Sequence, residues 1–170
     1  MSERGIALVL GGPDEVEVGQ PVEVRVTIRN ASDHGIWMVG VVDGSEGGVR
    51  FPRYTPSVKL DGRVVAAPPP PEDPLVGPLR VVDFHRLDPG ESFDPTRPSH
   101  GASYLPLSTF ANFTPSKQGN YRFELALSTE SDPERWLGRF NQEDDRASVL
   151  ELIEKVPSLT VAAAFEIEVR

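Results

Sequence analysis

Three histidines, His34, His85 and His100, are the only imidazoles in the chain, so metal binding or acid–base chemistry has to be built on them. Asp33-His34 sits among Asn30, Ser32 and Gly35, residue types that favour a tight turn, and reads as a turn pair. Asp83 and His85 are two apart in an extended run, which puts both side chains on one face of a strand. There they share a cation or form a cross-strand polar pair on the wet face. His100 lies in "RPSHGASY" with Ser99, Ser103 and Tyr104 close by, the best-placed histidine for a loop-borne site. Together Asp83, His85 and His100 define the chemical alternative for this chain, a small metal-binding protein or metal-dependent enzyme.

Other chemistries find little footing. Cysteine is absent, which removes disulfides, thiolate metal sites and cysteine nucleophiles. No Gly-x-Ser-x-Gly elbow occurs and no His-Glu-x-x-His, while "GGPDE" and "DGSEGG" lack the lysine and the helix of a phosphate cradle. Glu143, Asp144 and Asp145 lack the alternating oxygen spacing of a calcium loop and fit the acidic start of a helix. The expectation is a non-enzyme with no catalytic residue, no metal ligand set and no cofactor.

Residues suited to binding another protein are easier to find. Trp136, Leu137 and Phe140 form an apolar trio that either packs on the body of the protein or stays exposed as a patch. His100 and Tyr104 join them as partner-contact candidates on a loop long enough to enter a cleft. Pro68 to Pro71 either dock an aromatic groove of a partner or form a stiff polyproline II loop. Asn30 and Asn112 fit the glycosylation sequon, which matters only for an exported chain.

The elements that carry these residues are short strands. Seventeen prolines and fifteen glycines punctuate a chain of 170 residues, 38% apolar and 25% charged, long enough for one sizeable core. Ile6, Leu8 and Leu10 alternate, and Val22, Val24, Val26 and Ile28 oppose Glu23, Arg25, Thr27 and Arg29, one face buried and one wet. Ile36 to Val42 is apolar on both parities, as for a strand covered on both faces. Asp61-Gly62 splits Ser57 to Ala66 with a type I′ hairpin signal, and Leu79 to Leu87 reads as a strand closed by the turn "DPGE". Tyr121, Phe123, Leu125 and Leu127 share one face of a further strand, and Val161, Ala163, Phe165, Ile167 and Val169 share one face of the last.

Two segments interrupt this pattern. Residues 66–78, "AAPPPPEDPLVGP", cannot donate to a ladder and form a proline-rich loop. Residues 131–157 replace the last hairpin with a helical insertion: a first helix capped by Ser131 or Asp132 with Pro133 at its first position, carrying the Trp136 trio, and a second over about 143–155. Val149, Leu152, Ile153 and Val156 make the apolar stripe of the second.

On "GQPVEVRVTIRNAS", "DFHRLDPGESFD" and "FTPSKQGNYRFEL" the chain resembles the immunoglobulin and fibronectin type III superfamily. More narrowly it is similar to bacterial immunoglobulin-like modules of intracellular proteinase-inhibitor-like proteins and of the non-catalytic domain beside some metallopeptidases. The resemblance implies an all-β fold, an antiparallel β-sandwich of seven to nine strands with the helical insertion between the last two. It implies that Tyr121 is the corner tyrosine bonding back to the turn, that Phe123 stands where the core cysteine would be, and that Trp37 is the core tryptophan packed against it.

The function that follows is a single module, residues 1–170, serving as a non-catalytic protein-interaction domain, inhibitor-like through Arg97 to Leu107 or an accessory subunit of a larger assembly. Self-association is a second route to a partner. A formal net charge of −9 without a local lysine or arginine cluster makes nucleic acid and anionic membranes poor partners and suits a basic protein or a cation. "MSERG" runs directly into Ile6 to Leu10, too short for a signal-peptide core, and no apolar run has bilayer length, so a cytoplasmic location is expected.

Overall fold

The computed structural model describes residues 5–71 and 75–170; the Glu72, Asp73 and Pro74 part of the proline-rich loop lies outside the described residues. The fold is mostly β. Its strands are β1 (Ile6–Gly11), β2 (Glu15–Val16), β3 (Arg25–Asn30), β4 (Ile36–Val39), β5 (Arg53–Leu60), β6 (Arg63–Ala66), β7 (Phe84–Leu87), β8 (Ser92–Phe93), β9 (Gly119–Ser128) and β10 (Thr160–Val169). Two short helices accompany them, α1 (Ser108–Ala111) and α2 (Arg146–Ile153). One sheet has the order β1-β3-β8, a second β2-β10-β9-β5-β6, and β4 pairs β7 in a third. All pairs are antiparallel except β2 with β10, which is parallel. Two packed sheets with the last two long strands side by side at the centre of the larger one make an arrangement of the immunoglobulin-like kind.

Alternation in the sequence becomes alternation in burial. Tyr121, Phe123, Leu125 and Leu127 on β9 are buried while Arg122 faces water, and Val161, Ile167 and Val169 do the same on β10. They meet Val26 and Ile28 of β3 and Ile6 and Leu10 of β1 in one core. Phe123 is packed by Phe110, Phe113 and Phe165, with ring centroids 5.6, 5.9 and 5.0 Å away. The β5–β6 hairpin turns on Asp61 and Gly62, both at positive φ (50° and 82°), which is the backbone a type I′ turn demands. The Tyr121 hydroxyl donates to the Lys117 carbonyl at 2.9 Å, closing the corner four residues back.

Several expectations are corrected. Trp37 is not the core tryptophan: it sits opposite Arg86 in the β4–β7 pair and is only half-buried, because its neighbours Ile36 and Met38 take the inward parity. Trp136 is the fully enclosed one, beside Phe51 with ring centroids 6.5 Å apart. The strand expected over 79–87 is half that length. Asp83 accepts from the Arg80 amide at 2.8 Å and from the Arg80 guanidinium at 3.0 Å, folding Val81–Asp83 into a 3₁₀ turn before β7 begins. The first helix of the 131–157 segment is only a 3₁₀ turn, Pro133–Arg135, with Pro133 at its first position as the sequence indicated. Gly138 then lies so close to the backbone of Gly77 that a Cβ would stand 2.1 Å from its carbonyl oxygen, a tight crossing that replaces helix with loop. The second helix is shorter than expected, and it buries Val149 and Ile153 against the sandwich.

Candidate functional site

Two concave regions lie at the loop-rich parts of the fold. The first is a cleft of about 470 Å³ lined by His85, Phe93, His100, Arg97 and Glu91 among others. β7 presents His85, whose ring stacks on Phe93 of β8 at 4.6 Å with 11° between the planes. His100 meets the same ring edge-on at 4.8 Å, carried on a two-residue turn in which His100 and Gly101 both have positive φ (49° and 85°). Burial and then the neighbouring His100 hold the His85 imidazole below its ordinary pKa, partly offset by Glu91. Arg97 at the rim is paired with Asp94 at 3.4 Å.

The metal triad does not assemble. Asp83 is buried and its two carboxylate oxygens hold Arg80, so it shares nothing with His85. Among the described residues no group of three or more histidine, cysteine, aspartate or glutamate side chains is placed to hold a metal ion. His34 lies apart, exposed, with Nδ1 3.1 Å from Asp33.

Of the partner-contact candidates, Tyr104, Trp136 and Leu137 are in the core, and only Phe140, 52% exposed, and His100 stand at the surface. Tyr104 lies flat against Gly40, where a Cβ would stand 2.6 Å from its ring, and its hydroxyl donates to the Asp83 carbonyl at 2.5 Å. Burial raises its pKa far above the phenol range. Ala102, Tyr104 and Leu107 are buried and Ser99 pairs with Ala102, so the 97–107 segment is anchored at these points and offers a His100-Gly101 tip, not an extended loop. Asn30 is no glycosylation acceptor: fully buried, it donates to the His34 and Leu87 carbonyls at 2.8 and 3.0 Å and accepts from Ser32.

The second concavity was missed in the sequence because three distant segments build it. It is a groove of about 480 Å³ with Val41 and Val42 at its base, Pro68 and Pro69 on one wall and Leu105 and Pro106 on the other. The Leu105 amide donates to the Val41 carbonyl at 2.9 Å, fixing one wall to the base. Two carboxylates belong to the lining, Asp43 and Glu46, and no basic side chain does. Glu46 is held rigidly: it accepts from the Ser108 amide (2.6 Å), the Thr109 amide (2.9 Å) and the Thr109 hydroxyl (2.5 Å), capping α1 from 62 residues away. Asp43 makes only a long contact, 3.5 Å, from the Gly77 amide.

Beneath the groove Arg50 is buried and ties its loop to the rest of the molecule. Its guanidinium donates to the carbonyls of Trp136 (3.1 and 2.8 Å), Gly77 (3.0 Å) and Asp43 (3.3 Å). Burial lowers its pKa, with Asp43 and Asp83 opposing the shift. The arginine in "GGVRF" carried no sequence signal beyond being a charge next to an apolar residue.

No protein-family model and no curated protein matches the chain. Solved structures similar to the chain include two of a CARDB domain from Pyrococcus furiosus. The crystal structure, of that domain in complex with di-metal ions, is 16% identical over 97% of this chain and 87% of that chain, with a TM-score of 0.35. The solution NMR structure is 15% identical over 97% of this chain and 94% of that chain, with a TM-score of 0.33. Among the described residues no helix is long and apolar enough to cross a membrane.

Proposed function

We propose that the chain is a single non-catalytic immunoglobulin-like module, with residues 131–157 as its insertion, that binds a protein partner as an accessory subunit. The binding end is the one built by the 41–47 loop, the proline-rich loop and residues 105–108. One observation carries this reading: an open groove with apolar walls and Leu105 43% exposed at its rim. Asp83 caps a turn, Glu46 caps α1, and the Tyr54 and Tyr104 hydroxyls serve backbone carbonyls. Proline and the Leu105 amide anchored to Val41 limit the backbone freedom of the lining, so little of it is lost when a partner seats there. The pinned 97–107 segment favours an accessory role over an inhibitor that inserts a loop.

A photo-crosslinking residue placed at Leu105 tests the proposal in the native host, with the same residue at Thr55 on the outer sheet face as the control. A single protein captured from position 105 and not from position 55 is expected. Equal capture at both positions, or capture at neither, refutes the reading.

A further inference from the structure

We infer that the groove between the two proline walls receives the side chain of an arginine or lysine from an extended segment of the partner, an inference that rests on the interaction reading above. Charge complementarity selects this occupant. The lining offers apolar surface along its length and two carboxylates, Asp43 and Glu46, with no cation among the residues that form it. Arginine and lysine combine an aliphatic stem with a charged head, and such side chains lay the stem on apolar surface while the head meets a carboxylate. Val42, Leu105 and Pro68 suit the stem; Asp43 and Glu46 suit the head.

The two carboxylates divide the work. Glu46 is fixed by three donors from α1 and so holds its charge in place without needing to reorganise. Asp43, with one long contact, keeps acceptor capacity for a guanidinium or ammonium. Arg50 interacts electrostatically with Asp43 and moderates its field, while its hydrogen bonds go to the carbonyls of Trp136, Gly77 and Asp43. The net charge of −9 adds long-range attraction for a basic segment.

The test uses the full chain, ¹⁵N-labelled, titrated with the peptide acetyl-Pro-Leu-Arg-Pro-amide and with its citrulline counterpart, which keeps the shape and the aliphatic stem but removes the charge and exchanges one nitrogen donor group for a carbonyl oxygen. The arginine peptide is expected to shift the amides of Val42 to Gly47, Ala67, Leu105 and Ser108. Citrulline is expected to bind about tenfold more weakly, the lower end for a close charge pair. Asp43→Asn, at an exposed position that should not disturb folding, is expected to weaken the arginine peptide and leave the citrulline peptide unchanged. Equal binding of the two peptides overturns the inference, as do shifts confined to the His85–His100 cleft or no shifts at all. If capture at position 105 persists while the two peptides bind equally, the partner docks through apolar contact alone, and the inference falls while the interaction reading stands. Loss of capture at position 105 removes that reading itself.

Discussion

Replacing Arg50 by methionine should cost the protein about 3 kcal/mol. The side chain is 2% exposed and donates to three backbone carbonyls, those of Trp136, Gly77 and Asp43. Methionine fills similar space but offers no donor, so three acceptors lose their partner. A hydrogen bond from a charged donor contributes about 1.5–3 kcal/mol, and an orphaned buried carbonyl costs about 1–3 kcal/mol. Against this, a buried charge no longer has to be desolvated, which recovers several kcal/mol. Taking about 1.5 kcal/mol at each carbonyl and counting the Trp136 carbonyl twice gives about 6 kcal/mol lost, and about 3 kcal/mol recovered leaves about 3.

Urea denaturation reads this directly. With a slope of about 2 kcal/mol/M the midpoint should fall by about 1.5 M. Trp136 is a local reporter, since its carbonyl is a direct acceptor and its ring is buried beside Phe51. In a Trp37→Phe background its emission should shift to the red at urea concentrations where the β-sheet signal is still intact. A midpoint change below about 0.3 M, or a gain in stability, refutes the reasoning, because it would mean that water or relaxation satisfies the carbonyls at no cost.

Four further outcomes are expected. Tyr121→Phe removes the corner hydrogen bond to Lys117 and should lower Tm by about 3 °C, equivalent to about 1 kcal/mol; an unchanged Tm by calorimetry would leave the corner without energetic weight. Gly138→Ala drives a Cβ into the Gly77 backbone and should cost about 2–3 kcal/mol, read as a lower urea midpoint, whereas a neutral result would show that the crossing relaxes freely. His85 titrates below its unfolded value, so the unfolded state binds the proton first and stability is lost as pH falls from about 6.5 through the lowered folded value. His100→Ala removes a like charge and should raise the His85 midpoint in an NMR titration; a fall would contradict the assigned cause.

What was legible in the sequence is what local spacing encodes. Parity told which side of β9 and β10 faces inward, Asp61-Gly62 told the hairpin, and Tyr121 standing two residues after Gly119 and two before Phe123 told the corner. Contacts between distant segments left no such mark. Trp37 and Trp136 are both tryptophans in apolar company, and what separates them is their place in the fold: Trp37 takes the outward parity of β4, while Trp136 is enclosed beside Phe51. Val81 and Val82 read as strand because alternation says nothing of Asp83 turning back on the Arg80 amide. The groove was invisible for the same reason: residues 41–47, 68–69 and 105–108 carry no shared motif.

On the proposed reading, the same long-range contacts give residues 131–157 an indirect part in binding. Arg50 joins the Asp43 carbonyl, at the groove, to the Trp136 carbonyl, in the insertion, through a single guanidinium. Phe51 donates its amide to the Arg135 carbonyl at 3.0 Å, and the Arg139 amide donates to Val76, at the far end of the proline-rich loop, at 3.2 Å. Residues 131–157 therefore anchor the Asp43 carbonyl at the groove and Val76 beyond the proline run. Deleting 131–157 would strip Arg50 of two of its four hydrogen bonds and leave the Asp43 loop without its anchor. Loss of binding after such a deletion would locate the anchor and not the contact surface, and only substitution at Asp43 or Leu105, with the insertion intact, separates the two.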